Sequence, residues 1–574
     1  MSDDSTSPAP EHRTLGMRIL RAGAAVGIAH VCLKLASVLQ VMVLSWYLPA
    51  GTYDVVYAFA FEGCLFSLFL IGEEVIGPSF LPVFMREKDE RGEPAAWAFA
   101  NVILTAHFLL LVLAVLGIVL FPSAVVRLFT AWSAENEPEK FELARRSLVW
   151  LAPALVGLSL ASTTYMILNG YKRFFLAAFG DASWKICVLI AVGLGMGVFG
   201  VGIRSLIFGL LVGSAAKLFT HLVGLVRELR HFRPSLRLSN PAVRAMMVLM
   251  LPLVAGIILA KVRDVYNNVT ILSHLHAEGL LQANSLGRKL YSSVGWLVPY
   301  ALSIAMFPFF CELVDRNDVK KLGEVLTHSA RLLLAVFIPF ALVCLVMAYP
   351  ISSFLFQAGR FGPEMVSRTA VSTACYTLVL PAFAVEYLLM QAFFANRRMV
   401  SITVVGVIFS VLTVAISYVG IKVCGATGLA ALAVVALGMT VARTLKVVTL
   451  VVVLRRFVPA FPWRETAGIL VKATLTGAVA AGACAACDYG FTHAISAGAG
   501  KSIMLLRLAA DGAAAAAGFA AGALIFRLRE PAEMLRWAAA KLRGRRPQAP
   551  LGEKPADGAE TCRKDSKTRK DSNP

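Results

Sequence analysis

Apolar runs of about 20 residues recur along almost the whole chain, and that is the length at which a helix crosses the hydrocarbon core of a bilayer. They lie near 22–48, 55–83, 97–121, 147–169, 174–198, 202–225, 246–272, 282–311, 332–356, 370–394, 399–421, 426–452, 466–487 and 503–527, which makes fourteen. Spanning β-strands would appear instead as short segments of alternating polarity, so a closed barrel is excluded. A soluble fold is excluded as well. Hydrophobic residues make up 58% of the chain and charged residues 16%, where soluble chains carry about 45–50% and about 25%. The mean hydropathy of +0.72 agrees. The first run follows a polar arm, residues 1–21, without a clear cleavage site after it, and reads as a retained span rather than a signal peptide.

The chain carries 55 Lys and Arg against 35 Asp and Glu, a formal net charge of +20. The excess sits in loops that alternate along the spans: Arg86 and Lys88, Lys172-Arg173, Arg227 to Arg237, Lys320-Lys321, Arg397-Arg398, Arg455-Arg456 and the tail. With the N-terminus inside, roughly 34 basic residues fall on the cytoplasmic side and roughly 7 outside. The sequence therefore predicts a bacterial inner-membrane protein with both termini cytoplasmic. Basic residues dispersed in this way mark topology, not a nucleic-acid surface.

Three sequence anchors repeat at one long offset. Pro82 in Phe80-Leu-Pro-Val-Phe84 matches Pro308 in Phe307-Pro-Phe-Phe310 (308 − 82 = 226). Asn169 matches Asn396 and Ala50 matches Ala277 (396 − 169 = 227; 277 − 50 = 227). The repeat predicts an all-α polytopic membrane protein of about fourteen transmembrane helices, with two six-helix lobes related by a pseudo-twofold axis along the membrane normal. The expected units are an arm at 1–21, an N-lobe at 22–226, a basic linker at 227–245 and a C-lobe at 246–456. A pair of extra spans follows at 457–527, and a basic, disordered tail at 528–574. The last two spans are rich in Ala and Gly, which suits close helix packing.

No HExxH, GxSxG or phosphate-loop pattern occurs, so neither an enzyme nor an ATP-driven pump is expected, and no cofactor or metal. Cys484 and Cys487 have CxxC spacing, but they lie in an apolar helix without a second pair, and packing is the expected role. Two lobes about an axis fit a carrier that alternates access, with its substrate between the lobes.

Charges at bilayer depth are expensive unless they face a cavity or a partner. The equivalent spans 1, 2, 7 and 8 supply Lys34, Lys261, Arg263, Arg288 and Lys289 against Glu62, Glu73, Glu74 and Asp264; Glu386 stands alone in span 10. Converging cations of this kind can hold a phosphate or pyrophosphate by charge-assisted hydrogen bonds. The same residues can instead neutralise one another. Arg263 is adjacent to Asp264, Glu73 could pair with Lys34, and Glu386 could make a helix–helix contact. A desolvated Glu could also carry a coupling proton.

Several segments resemble one family. Phe61-Glu62, Gly72-Glu73 and Ser79-Phe-Leu-Pro-Val-Phe84 are similar to the second-helix signature of the MurJ-type (MviN-like) lipid II flippases of the MOP exporter superfamily. Ala301 to Pro308 resembles their eighth-helix end, Phe393-Phe-Ala-Asn-Arg397 the end of their tenth, and Leu355-Phe-Gln-Ala-Gly-Arg-Phe361 a motif after their ninth. The resemblance covers about residues 20–530. It implies an inner-membrane flippase that carries undecaprenyl-pyrophosphate-linked peptidoglycan precursor to the outer leaflet for cell-wall biogenesis and cell shape. The pyrophosphate would bind a cationic central cavity, through Lys34, Arg263, Arg288 and Lys289 here. Glu62, Glu73, Glu74, Asp264 and Glu386 would balance charge or couple the cycle, and the last two spans would carry the lipid tail. The expected partners are membrane lipids, that lipid-linked glycan and the cell-wall synthesis machinery.

The sequence departs from the family pattern in places. Lys34 aligns with a first-helix Arg, but the Arg-Asp pair that follows falls on Gln40-Val41, and a second-helix Arg pair falls on Leu68-Phe69. Lys289 takes the place of an eighth-helix Arg. Helix 11, which binds sodium in some members through acidic and amide groups, offers only hydroxyls such as Ser410 and Thr413. The alternatives are a flippase for another polyprenyl-linked oligosaccharide and a multidrug exporter of the same superfamily. The surplus of cations near spans 1, 7 and 8 argues against the exporter, which should bind cations in an acidic cleft.

Overall fold

The computed structural model describes residues 35–396, 398–494, 500–528 and 530. No strand occurs among them. The chain forms α1 (Leu35–Tyr47), α2 (Ala50–Arg91), α3 (Glu93–Leu120), α4 (Pro138–Gly170), α5 (Phe174–Gly197) and α6 (Ile203–Gly224). Next come α7 (Pro241–Leu251 and Leu253–Ser273), α8 (Leu280–Asp315), α9 (Val319–Phe356) and α10 (Pro363–Thr377 and Leu380–Ala395). The last four are α11 (Met399–Val423), α12 (Gly428–Leu454), α13 (Trp463–Ala494) and α14 (Lys501–Ile525).

A helix lies at each of the fourteen expected spans. Ten helices are long and apolar enough to cross a membrane singly, and the bent pairs α7 and α10 bring that to twelve. The others are α1, whose described part is short, and α8, whose 36 residues include Arg288 and Lys289. Proline opens α4, α7 and α10 at Pro138, Pro241 and Pro363, where its missing N–H has no helical partner to lose. Gly92, at φ 83°, turns the chain between α2 and α3, a conformation that side chains disfavour.

Helix starts recur at the offset of the sequence anchors. Glu93 of α3 and Val319 of α9 are 319 − 93 = 226 apart, and Phe174 of α5 and Met399 of α11 are 399 − 174 = 225 apart. The halves meet along α2, α7 and α8. Gly63 of α2 lies so close to α7 that a Cβ there would sit 2.8 Å from Val269 Cγ2. Over Tyr53–Phe66, α2 is wound as a π-helix, a form that concentrates at functional sites. Its rings meet in sequence, Tyr53 tilted against Tyr57 at 5.2 Å and Tyr57 stacked on Phe61 at 5.6 Å between centroids.

The end of the bundle where α1 meets α2 is closed by bonds between the two halves. The Asp54 carboxylate accepts the Gly279 and Gln282 N–H groups at 2.6 and 2.7 Å. Arg360 N–H donates to the Trp46 carbonyl at 2.9 Å, and Ala131 N–H to Ser273 Oγ at 2.9 Å. Helices α13 and α14 pack through small residues. A Cβ on Gly518 would lie 2.8 Å from Ala483 Cβ, and one on Gly522 would lie 3.0 Å from Thr476 Cα. Lys34, Arg397, the arm at 1–21 and nearly all of the tail at 528–574 lie outside the described residues.

Candidate functional site

The π-wound part of α2 faces the first turns of α8, and this seam holds the first group of charges. Lys289 Nζ forms an ion pair with Glu62 Oε1. Ser285 Oγ donates to Glu62 Oε2 at 2.7 Å, so the carboxylate is held from two positions one helical turn apart on α8. Tyr57 supports the lysine: Nζ lies 3.4 Å from the phenol oxygen and 4.6 Å from the ring centre. Arg288 lines a cavity of about 30 Å³ beside Glu62, Asp264, Asn268 and Ser285. No ion pair ties its guanidinium to any of them.

A second group crosses from α7. Arg263 donates to Asp264 Oδ1 from Nε at 3.0 Å and from Nη2 at 2.7 Å, and Nη1 donates to Ser410 Oγ of α11 at 3.0 Å. Lys261 Nζ donates to Glu74 Oε1 of α2 at 2.6 Å. Lys261 therefore has a partner across the seam. Glu73 lies within electrostatic reach of Glu74 and Lys261 as well as of the Lys217–Asp181 pair of α6 and α5. That pair closes at 2.7 Å, and Lys217 Nζ lies 4.7 Å from the Phe69 ring centre.

Glu386 of α10 meets two cations of α12. Arg443 Nε lies 2.7 Å from Oε2, and Lys446 Nζ donates to Oε1 at 2.7 Å. The arginine also stacks on Phe383, 4.7 Å from the ring centre. Glu386 thus makes a helix–helix contact, and a charged one.

The structure brings Glu62 to Lys289 and Arg288, Glu74 to Lys261, and Arg263 to Asp264. Glu386 pairs instead with Arg443 and Lys446, Glu73 lies near both Glu74 and the Lys217–Asp181 pair, and Lys34 lies outside the described residues. Sequence reasoning missed Tyr57, Ser285 and Asp54, whose parts depend on the π-winding of α2. It also passed over Arg443 and Lys446 as site residues, although their spacing of three on one helix places both on one face. Among the residues named along this seam and on α12, six cations (Lys261, Arg263, Arg288, Lys289, Arg443, Lys446) stand against four carboxylates (Glu62, Glu74, Asp264, Glu386). A cleft charged in this way attracts anions and repels cationic solutes.

Known proteins share the fold. A solved structure of lipid II flippase MurJ in an inward closed conformation superposes with a TM-score of 0.68 at 17% identity, over 88% of this chain and 98% of that one. An inward-facing multidrug-resistance MATE transporter of the MOP superfamily superposes with a TM-score of 0.62 at 13% identity, over 74% of this chain and 94% of that one. In sequence, the probable lipid II flippase MurJ of Rickettsia prowazekii is 22% identical over 57% of this chain and 63% of its own length. The lipid II flippase MurJ of Burkholderia cenocepacia is 23% identical over 63% of this chain and 70% of its own. The chain thus spans a little under two thirds of the Rickettsia relative and somewhat more of the Burkholderia one. The family model described as lipid II flippase MurJ matches residues 44–505, from the end of α1 into α14, and the chain belongs to that family.

Proposed function

We propose that this protein is a transporter that moves lipid II, the undecaprenyl-pyrophosphate-linked peptidoglycan precursor, from the inner to the outer leaflet of a bacterial inner membrane. The observation that carries the reading is the convergence of Lys261, Arg263, Arg288 and Lys289 on the α2–α7–α8 seam, with Arg288 left over from the ion pairs that Glu74, Asp264 and Glu62 make there. A pyrophosphate is a compact dianion or stronger, and Arg and Lys side chains bind it by charge-assisted bonds that strengthen away from water. Arg288, which has no ion-pair partner among the described residues, would contact it first, once the lobes part and widen the cavity of about 30 Å³ that it lines here. Lys289 would exchange Glu62 for phosphate oxygens, and Arg263 would do the same with Asp264. Lys34 completes the set on sequence grounds.

In this reading Glu62, Glu74 and Asp264 keep the empty cleft near neutrality, so that the lobes can close without substrate. Glu73 and Glu386 hold the interior of each lobe. The lobes are residues 22–226 and 246–456, with 227–245 as the cytoplasmic linker and both termini cytoplasmic, as the distribution of Lys and Arg supports. The seal around Asp54 then lies on the outer side, which makes this conformation one closed to the periplasm. The small-residue pair α13–α14 gives the lipid tail a surface outside the lobes, and the cell-wall synthesis machinery takes up the product.

The test is depletion of the protein in its native host, followed by assay of lipid-linked precursor exposed at the outer leaflet. The expected result is accumulation of precursor that stays inaccessible from outside, restored by the wild-type chain and not by Lys289→Ala. Unchanged exposure in a host without a second flippase would overturn the reading and leave another polyprenyl-linked glycan as the leading substrate.

A further inference from the structure

Helices α7, α11 and α12 enclose a small chamber whose chemistry differs from that of the seam. Its volume is about 30 Å³, and its polar lining is Arg263, Ser410, Thr413, Arg443 and Lys446. A cavity needs roughly 10–15 Å³ to hold one water, so this one takes one or two waters or a single monatomic ion. It is too small for a phosphate group.

The lining is rich in donors and poor in acceptors. Three cations face it, and the carboxylates that touch them lie to the side. Glu386 engages Arg443 through Nε and Lys446 through one of its three donors. Asp264 engages Arg263 through Nε and Nη2. Ser410 Oγ is already occupied as an acceptor from Arg263 Nη1. Thr413 spends its proton on the Phe409 carbonyl, at 2.8 Å. Among the described residues the buried Arg443 Nη1 has no hydrogen-bond partner, and neither has Glu386 Oε2, which faces Arg443 Nε as an ion pair only. A guanidinium N–H buried without an acceptor is destabilising by about 1–3 kcal/mol or more, and water would offer its acceptor oxygen only together with two further donors.

We propose that this chamber binds a small monovalent inorganic anion, a halide, held by Arg443, Lys446 and Arg263. One negative charge meets the unpaired Arg443 Nη1 and the free Lys446 protons. It also neutralises the net charge of +1 that Arg443 and Lys446 leave against Glu386. The bound ion ties α12 to α7 and α11 and so stiffens the second half of the molecule, with Arg263 as the one residue that the chamber shares with the seam.

The experiment is thermal unfolding of the purified full-length protein in detergent, titrated with sodium chloride or bromide against sodium gluconate and sodium phosphate at matched ionic strength. The expected result is a saturable rise in Tm of several degrees with either halide and none with gluconate or phosphate. Arg443→Gln should abolish it. Gly406→Ala provides a variant that folds. Its Cβ would sit 3.8 Å from Lys446 Nζ, an ordinary contact, so it narrows the chamber and leaves every charge in place. It should weaken the halide response at least several-fold. A Tm that ignores the anion, that rises equally with phosphate, or that keeps its full halide response in both variants would overturn the proposal.

Discussion

Asp54 of α2 caps a helix in the other half of the molecule: its Oδ2 accepts the backbone N–H of Gly279 at 2.6 Å. Oδ1 accepts Gln282 N–H at 2.7 Å, so two of the four N–H groups that any helix start leaves without a partner are satisfied by a residue more than 200 positions upstream. The carboxylate is only 1% exposed, and a negative charge at a helix N-terminus is favoured by the helix dipole. Asp54→Ala should therefore destabilise the closed form by roughly 1–3 kcal/mol, as expected for buried donors left unpaired. Asp54→Asn, which keeps one acceptor, should be milder. Thermal unfolding of the two variants checks the order. Labelling of a cysteine introduced at Gln282 by a membrane-impermeant thiol reagent, in variants with and without Asp54, checks that this end has loosened.

The Glu62–Lys289 pair separates folding from transport. Removing one partner of a buried ion pair is destabilising by about 3–5 kcal/mol, and partial exposure of the lysine reduces that here to roughly 2 kcal/mol. Glu62→Gln and Lys289→Gln should each lower the amount of folded protein in the membrane. The double variant should recover it, because neither charge is then left alone. If Lys289 binds substrate, the double variant will still fail to support growth of a depleted strain. Quantifying membrane-inserted protein alongside complementation distinguishes the two effects, and a double variant that grows normally would remove Lys289 from the binding set.

Much of the fold was legible because a bilayer fixes the length of its spanning helices. Each of the fourteen apolar runs meets a helix among the described residues, and the offset of 226 to 227 between sequence anchors returns in helix starts 225 and 226 apart. The convergence of Glu62 with Lys289 and of Glu74 with Lys261 was legible in outline, since repeat-related helices line one axis. What the sequence did not disclose depends on contacts that no periodicity encodes. Glu386 could be read as an isolated acid because Arg443 and Lys446 reach it only through the packing of α10 on α12. Asp54 binds backbone groups, which have no signature in the sequence. The π-winding over Tyr53–Phe66, which sets the faces that Tyr57 and Glu62 present, is invisible to a count made at 3.6 residues per turn.

His274, just past α7, gives this end of the molecule a pH dependence. Its Nδ1 bonds to the Thr270 carbonyl at 2.8 Å, and burial, with smaller contributions from Lys422 and His276, holds its pKa below the ordinary histidine value. The unfolded chain therefore takes up this proton first as pH falls. The folded form keeps its full advantage above about pH 6.5 and loses it progressively below, down through the depressed folded value. His274→Gln, which does not titrate, should flatten that part of the stability profile. Thermal unfolding of both proteins between pH 8 and pH 5 reads the difference, and parallel curves would show that the proton binds elsewhere.

The α13–α14 pair offers a matched contrast between two glycines on one helix. At Gly518 a Cβ would meet Ala483 Cβ at 2.8 Å and Ala480 Cα at 2.9 Å, so at least one helix must move to admit it. At Gly512 it would meet nothing within 4 Å. Interfaces between membrane helices rest on close packing of small residues, since the surrounding lipid is as apolar as the side chains. Gly518→Ala should therefore destabilise the pair by roughly 1–3 kcal/mol, the usual penalty of overpacking. Gly512→Ala should stabilise α14 by up to about 1 kcal/mol through helix propensity alone. Thermal unfolding of the two variants in detergent, followed beside the wild type, should show a lower Tm for Gly518→Ala and an unchanged or higher one for Gly512→Ala, and limited proteolysis of the purified protein should run at rates in the same order. Equal rates in both would mean that α14 is held by something other than its contact with α13.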